Sequence, residues 1–261
     1  MSEAKNGTSS VYRHRNSTSD RTLDILMMFS DDRLTIRASE LVERLGVARS
    51  TAYRYLQTLT STGFLEETTG GYRLGLRVFE LGRIARRAFA PEEIIRPVLE
   101  RLARETGETA LIVRRSGGHA VCMDRAEPPH RHLRLSYERG SSLTFNSGAA
   151  AAVLLAWEPP DLIDELLDRA ELPAYNARSL TTPAALKKRL AEVREQGIAV
   201  SDAEIDLDAT GIAAPVWHNG RVTAALSVVA VGRVAADTLE GHVSKVRMSA
   251  EIVSERMDAI V

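Results

Sequence analysis

The 261 residues exceed one ordinary domain of roughly 100–200 residues, and 44% hydrophobic with 26% charged residues is the make-up of a soluble chain able to bury cores of its own. A lone cysteine, Cys122, rules out an internal disulfide, and the most apolar stretch, Gly148–Trp157, is too short to cross a bilayer; with no apolar run in the opening MSEAKNGTSS, the expected location is the cytoplasm. The net charge of −1 hides an asymmetry: up to Arg87 there are 14 Lys+Arg against 10 Asp+Glu, leaving 34 − 14 = 20 against 35 − 10 = 25 beyond it, so only the N-terminal third is a candidate for a polyanion-facing surface.

Residues 1–18 are polar, lack hydrophobic periodicity and read as a disordered arm with a basic tip at Arg13, His14 and Arg15. A first short helix follows over Ser19–Ser30, with Ser19 as its cap and Leu23, Leu26 and Met27 on one face. Ala38–Leu45 forms a second, with Ala38, Leu41, Val42 and Leu45 inward and Gly46 stopping it. The third runs from Ala48 to about Ser61 and turns Ala52, Tyr55, Leu56 and Leu59 inward. Two short amphipathic helices around a glycine-containing turn make a helix-turn-helix. The run FLEE–TTGG–YRL then reads as two strands about a Thr68–Gly71 turn, a wing. A connecting helix spans 76–90, its apolar positions Val78, Leu81, Ala85 and Ala88 widened by Phe79, Ile84 and Phe89 in a way that suits dimerisation, with Pro91 ending it.

Beyond it the pattern alternates. Helices are expected at Glu92–Thr106, Gly148–Trp157, Pro160–Ala170, Pro183–Gln196 and Ala236–Met257, and strands at Thr109–Arg114, His119–Arg125, His132–Tyr137, Ile198–Ser201, Ile212–His218 and Val222–Val231. The fold class is therefore α+β: a winged helix-turn-helix at 19–75, a linker helix at 76–90, and at 91–261 an α/β sensor-type domain with a mainly antiparallel sheet.

On a 100° wheel the core stripe of the third helix lies opposite Ser50, Arg54 and Gln57, the side expected to face a DNA groove, the alternative on spacing alone being an ordinary polar helix face. Thr51, Tyr53 and Thr58 flank them, and Arg49 at the helix start is better placed for a phosphate than a base. Arg54 can fork onto guanine O6 and N7. Arg73 is the cation of the wing, and Arg13 and Arg15 on the arm could add salt-dependent contacts, the alternative being that each is free in solvent, which is the default reading for the arm.

Other chemistry is weakly supported. Asp202, Glu204, Asp206 and Asp208 alternate like a calcium loop, but Leu207 stands where glycine is needed and the later bidentate Glu is missing, so a solvated acidic edge is the default. His130 and His132 lack a third ligand nearby, and Cys122 reads as a small buried apolar residue. No GxSxG, P-loop, GxGxxG or HExxH occurs, and no cofactor, metal or catalytic residue is expected.

Three segments in register resemble the IclR family of bacterial transcription regulators: RTLDIL from Arg21 with STAYRYLQTLTSTGFLE from Ser50 and YRLGLRVFELG from Tyr72; DRAEPPH from Asp124 with LRLSYERGSSLTFNSGAAAAVLLA; and GIAVSDAEIDLDATGIAAPVWHNGRVTAALSV from Gly197. The resemblance implies a winged helix joined to a GAF-like ligand-binding domain, and an operator-binding dimer or tetramer modulated by a small effector, often a carboxylate or aromatic acid. It also implies that Gly148 and Ala149 at a helix start, Ser201, Ala209 and Gly211 around IAAPV, and Ser227 with Val229 touch that effector. A cysteine usual before IAAPV is Gly211 here and a serine usual two residues after Ser227 is Val229, a departure that suggests a roomier or more apolar ligand, or none. The rival readings are a constitutive DNA-binding regulator without ligand and an enzyme acting on the bound metabolite, for which no nucleophile and base are placed.

Overall fold

The computed structural model describes residues 18–89, 92–128, 137–232 and 234–259. The basic arm with Arg13, His14 and Arg15, the pair His130 and His132, most of the strand expected at His132–Tyr137, and Pro91 lie outside them. The chain divides into two compact units at Ala85/Arg86, within the connecting helix.

In the first unit α1 (Thr18–Leu26), α2 (Ala38–Leu45) and α3 (Arg49–Ser61) precede the antiparallel hairpin β1 (Leu65–Thr68) and β2 (Gly71–Leu74). Helix α1 departs from expectation. Ser19 lies inside it instead of capping it, and it stops at Leu26, because the chain turns at Met28, whose N–H binds Ile25 O, and pairs Ser30 with Arg33. Gly46 ends α2 in the left-handed region at φ 60°, where its N–H reaches Val42 O and where L side chains are strained. Ala52, Tyr55, Leu56 and Leu59 are the buried residues of α3, packed with Ile25, Ile36, Leu41, Leu65 and Tyr72. Ile36 and Tyr72 exchange both backbone bonds, at 2.9 and 2.8 Å, which ties the wing to the segment before α2. Helix α4 (Leu76–Phe89) leaves Leu76, Phe79, Leu81 and Ile84 exposed.

The second unit is a six-stranded antiparallel sheet in the order β5-β4-β3-β8-β7-β6. Its strands are β3 (Thr109–Ser116), β4 (His119–Ala126), β5 (Ser142–Leu143), β6 (Ala199–Asp202), β7 (Ala209–His218) and β8 (Arg221–Val231). Side chains alternate between its faces, as the period of two requires. Leu111, Val113, Ala213, Ala225 and Val229 join the cluster made with α6 (Gly148–Ala156), α7 (Pro160–Arg169) and α8 (Pro183–Gln196). Ala110, Ile112, Ala214, Leu226 and Val228 join the one made with α5 (Glu92–Thr106) and α9 (Ala236–Asp258). Every residue of α6 is buried, so it is the inner helix between sheet and outer helices. The short β5, paired with Ala120 and Val121, has only two residues and too little alternation to be read from sequence.

Candidate nucleic-acid interface and effector cavity

The polar side of α3 lies where the wheel puts it. Ser50, Tyr53, Arg54, Gln57 and Thr58 are exposed, Thr51 is half-buried, and the helix RSTAYRYLQTLTS carries two arginines and no acid. The Arg49 guanidinium lies 5.6 Å from the centre of the Tyr53 ring, a cation–π contact that holds it along the helix start. Thr58 Oγ1 donates to Arg54 O at 3.0 Å, so this hydroxyl is engaged within the helix. From α1, Arg21 Nη1 donates to Leu45 O at 2.8 Å, satisfying a carbonyl at the end of α2 just before the turn. The wing cation is less free than its sequence suggests: Arg73 Nε and Nη2 both donate to Glu66 Oε2, at 2.9 and 2.7 Å, because hairpin register sets the two residues opposite one another.

In the second unit Gly148, Ala149, Ser201, Ala209, Gly211, Ser227 and Val229 converge on one cavity at the start of α6. Its shape departs from the expected roominess, for it measures about 20 Å³, room for little more than a water. The space vacated at Gly211 is taken by Ser201, whose Oγ lies 2.6 Å from where a Gly211 β-carbon would stand and accepts the Ala149 N–H at 3.1 Å. Ser227 Oγ donates to Ile212 O at 2.8 Å, so its hydroxyl is satisfied within the sheet.

The expectation of a solvated acidic edge fails for Glu204. Its carboxylate lines the cavity with only 11% of the side chain exposed, accepts the Gly148 N–H, and lies 3.5 Å from Arg189 Nη2. The N–H groups of Gly148 and Ala149, unsatisfied within α6, are thus met by Glu204 and Ser201. Burial pushes the Glu204 carboxyl above its usual range, against the opposing pull of Arg189 and the Gly148 N–H. Asp206 and Tyr137 share the lining; burial first, then the nearby Asp206 and Glu204, raises the Tyr137 hydroxyl above its ordinary value. Asp202, by contrast, is exposed and ion-paired with Arg178. The loop after β6 is held down by Asn176 Nδ2, which donates to Ala203 O and Ile205 O at 2.8 and 3.0 Å, and by Ser179 Oγ, which donates to Glu204 O at 2.8 Å. Leu111, Tyr137, Ala150, Glu204, Ile205 and Asp206 also line the cavity and were not expected from the sequence; only the nearness of the two acids to Ser201 in the chain hinted at them.

Family models for the "IclR helix-turn-helix domain" and the "Bacterial transcriptional regulator IclR C-terminal" match residues 18–69 and 92–255. The chain belongs to the IclR family. Among curated relatives, the HTH-type transcriptional regulator KdgR of Escherichia coli (strain K12) is 30% identical over 91% of this chain and 91% of its own length. BhcR of Paracoccus denitrificans is 32% identical over 80% of this chain and 75% of its own. A solved IclR transcriptional regulator from Silicibacter sp. superposes with a TM-score of 0.82 at 28% identity, covering 93% of this chain and 96% of that one. An IclR homolog from Microbacterium hydrocarbonoxydans, solved in complex with 4-hydroxybenzoate, superposes at 0.77 with 27% identity, covering 93% and 100%.

This IclR-family member is thus a DNA-binding transcriptional regulator, with its helix-turn-helix at the N-terminal end and an α/β domain with an antiparallel sheet at the C-terminal end. The curated relatives named are HTH-type transcriptional regulators. Among the described residues no helix is long and apolar enough to cross a membrane, and no group of three or more His, Cys, Asp or Glu could hold a metal ion.

Proposed function

We propose that this regulator reads its operator with Ser50, Arg54 and Gln57 of α3, flanked by Thr58 and by Thr51 and Tyr53, whose hydroxyls can meet base edges or phosphates, and positioned by phosphate contacts from Arg49 and Arg73 of the wing, and that a small organic or aromatic acid in the α6 cavity modulates the binding. The observation that carries the effector reading is the convergence of seven residues, spread from Gly148 to Val229, on one cavity at a helix start where the Gly148 N–H meets the carboxylate of Glu204 and the Ala149 N–H the hydroxyl of Ser201. The 4-hydroxybenzoate complex of the Microbacterium homolog supports the ligand class. Because the cavity measures about 20 Å³ and both amides are engaged, the acid enters by displacing Glu204 and Ser201 from the helix start; Gly148 and Ala149 then present the amides, Ser201 the hydroxyl, and Ala209, Gly211, Ser227 and Val229 the walls. The protein acts in the cytoplasm without catalysis of its own.

It self-associates as a dimer or dimer of dimers, a reading supported by the exposed Leu76, Phe79, Leu81 and Ile84 on α4. The working division is DNA binding over 19–75, a linker over 76–90 and sensing over 91–261.

The test is titration of labelled operator with the full-length protein against a panel of small carboxylic acids, followed by sedimentation of Phe79→Glu. An effector is expected to shift operator affinity by roughly five- to a hundred-and-fifty-fold, with Ala149→Leu losing the response while still binding operator. An effector response intact in Ala149→Leu removes this cavity from the mechanism, and a wild-type protein monomeric at micromolar concentration removes self-association.

A further inference from the structure

A second cavity opens under the other end of α6. Its volume is about 660 Å³, within the size range of small-molecule sites, whereas the cavity at Gly148 measures about 20 Å³. Helix α6 has nine residues and is therefore about 13 Å long, so the two cavities are separate places on the same face of the sheet.

Both tryptophans of the chain line it. Trp157 sits at the C-cap of α6 and Trp217 near the end of β7, their ring centres 5.5 Å apart and their planes at 74°. This edge-to-face corner leaves each indole half-buried. The Trp217 backbone is fixed where the β7–β8 register shifts, its N–H donating to Ser254 Oγ on α9 at 2.9 Å. Leu154, Leu162 and Val222 complete the apolar wall.

The charges around the cavity do not cancel. The Glu158 carboxylate is held by Arg115, whose Nε and Nη2 reach Oε1 at 3.1 and 2.9 Å. Arg221, exposed on the rim, has no ion-pair partner among the described residues. A flat ring can stack on one indole with its edge toward the other while an acidic group reaches Arg221, which can bind both oxygens of a carboxylate.

We propose that this cavity is a second ligand site of the sensing domain, taking a planar aromatic carboxylate in the corner made by Trp157 and Trp217, stacked on one indole, with its acid on Arg221. The site is independent of the effector reading given above, since it shares no residue with the cavity at Gly148.

Because Trp157 and Trp217 are the only tryptophans, intrinsic fluorescence of the full-length protein reports on this site directly. Titration with 2-naphthoate is expected to quench it saturably, with a parallel isothermal titration giving the same affinity. Arg221→Gln, at an exposed position that leaves the fold alone, should weaken 2-naphthoate about tenfold or more, and 2-naphthamide should bind wild type that much more weakly. Cyclohexanecarboxylate should bind weakly, having no ring face to stack. Quenching that rises linearly without saturation, affinity unchanged in Arg221→Gln, or preference for phenyltrimethylammonium over 2-naphthoate would each overturn the assignment.

Discussion

Ser201 and Gly211 are direct partners across β6 and β7, and the Ser201 hydroxyl occupies the space that a side chain on Gly211 would need, 2.6 Å from the position of its β-carbon. That hydroxyl also accepts the Ala149 N–H at the start of α6, so two strands and a helix meet on one oxygen atom.

Gly211→Ala is therefore expected to push Ser201 off its rotamer, strand the buried Ala149 N–H and destabilise the protein by about 1–3 kcal/mol. Adding Ser201→Gly to it should return part of that loss by relieving the clash. Urea unfolding of the two variants checks this; equal stability of Gly211→Ala and wild type would mean that the strands part at no cost.

Glu204 makes a pH prediction with a definite sign. Its folded-state value is raised from the ordinary 4.5, so between that value and the higher folded one the native state binds more protons than the unfolded state. This group's contribution to stability accordingly falls as pH rises through that window, instead of rising as it does for an exposed, salt-bridged carboxylate. Subtracting the stability–pH curve of Glu204→Gln from that of wild type should leave a component that declines with increasing pH above about 4.5. A flat difference would show that Arg189 and the Gly148 N–H balance burial, and a rising one that they outweigh it.

At the DNA face, Arg54→Ala should lower operator affinity by roughly 1–3 kcal/mol and relax preference at one base pair. Titrations on operator and on scrambled duplex separate the possibilities, since equal losses on both would make Arg54 a phosphate contact.

The Arg73–Glu66 pair on the wing leads to the opposite kind of effect. Replacing Glu66 with Gln removes the carboxylate that engages Arg73 while keeping the hairpin, so both operator and scrambled DNA should bind more tightly and the dependence on salt should steepen by up to about one counterion. Arg73→Ala should weaken both DNAs alike. A salt slope unchanged in Glu66→Gln would show that Arg73 never reaches a phosphate.

The sequence by itself determined what depends on local period and turn chemistry. The 3.6-residue repeat separates Ala52, Tyr55, Leu56 and Leu59 from Ser50, Arg54 and Gln57 on α3 without help from the rest of the chain, and Gly46 and the Thr68–Gly71 turn mark their own positions. The tertiary structure decided what depends on register and on residues far apart in the chain. An alternating acidic run reads alike whether it is solvated or folded inward; only the docking of the β6–β7 loop on Asn176 and Ser179 puts Glu204 against the N-terminus of α6, 56 residues after Gly148 (204 − 148), and leaves Asp202 outside. A missing side chain at Gly211 likewise suggested open space, but the space was filled from the neighbouring strand, because close-packed interiors leave no vacancy that a neighbour can reach. The Trp157–Trp217 corner depends on the end of a helix and the end of a strand meeting, which no periodicity in either segment encodes.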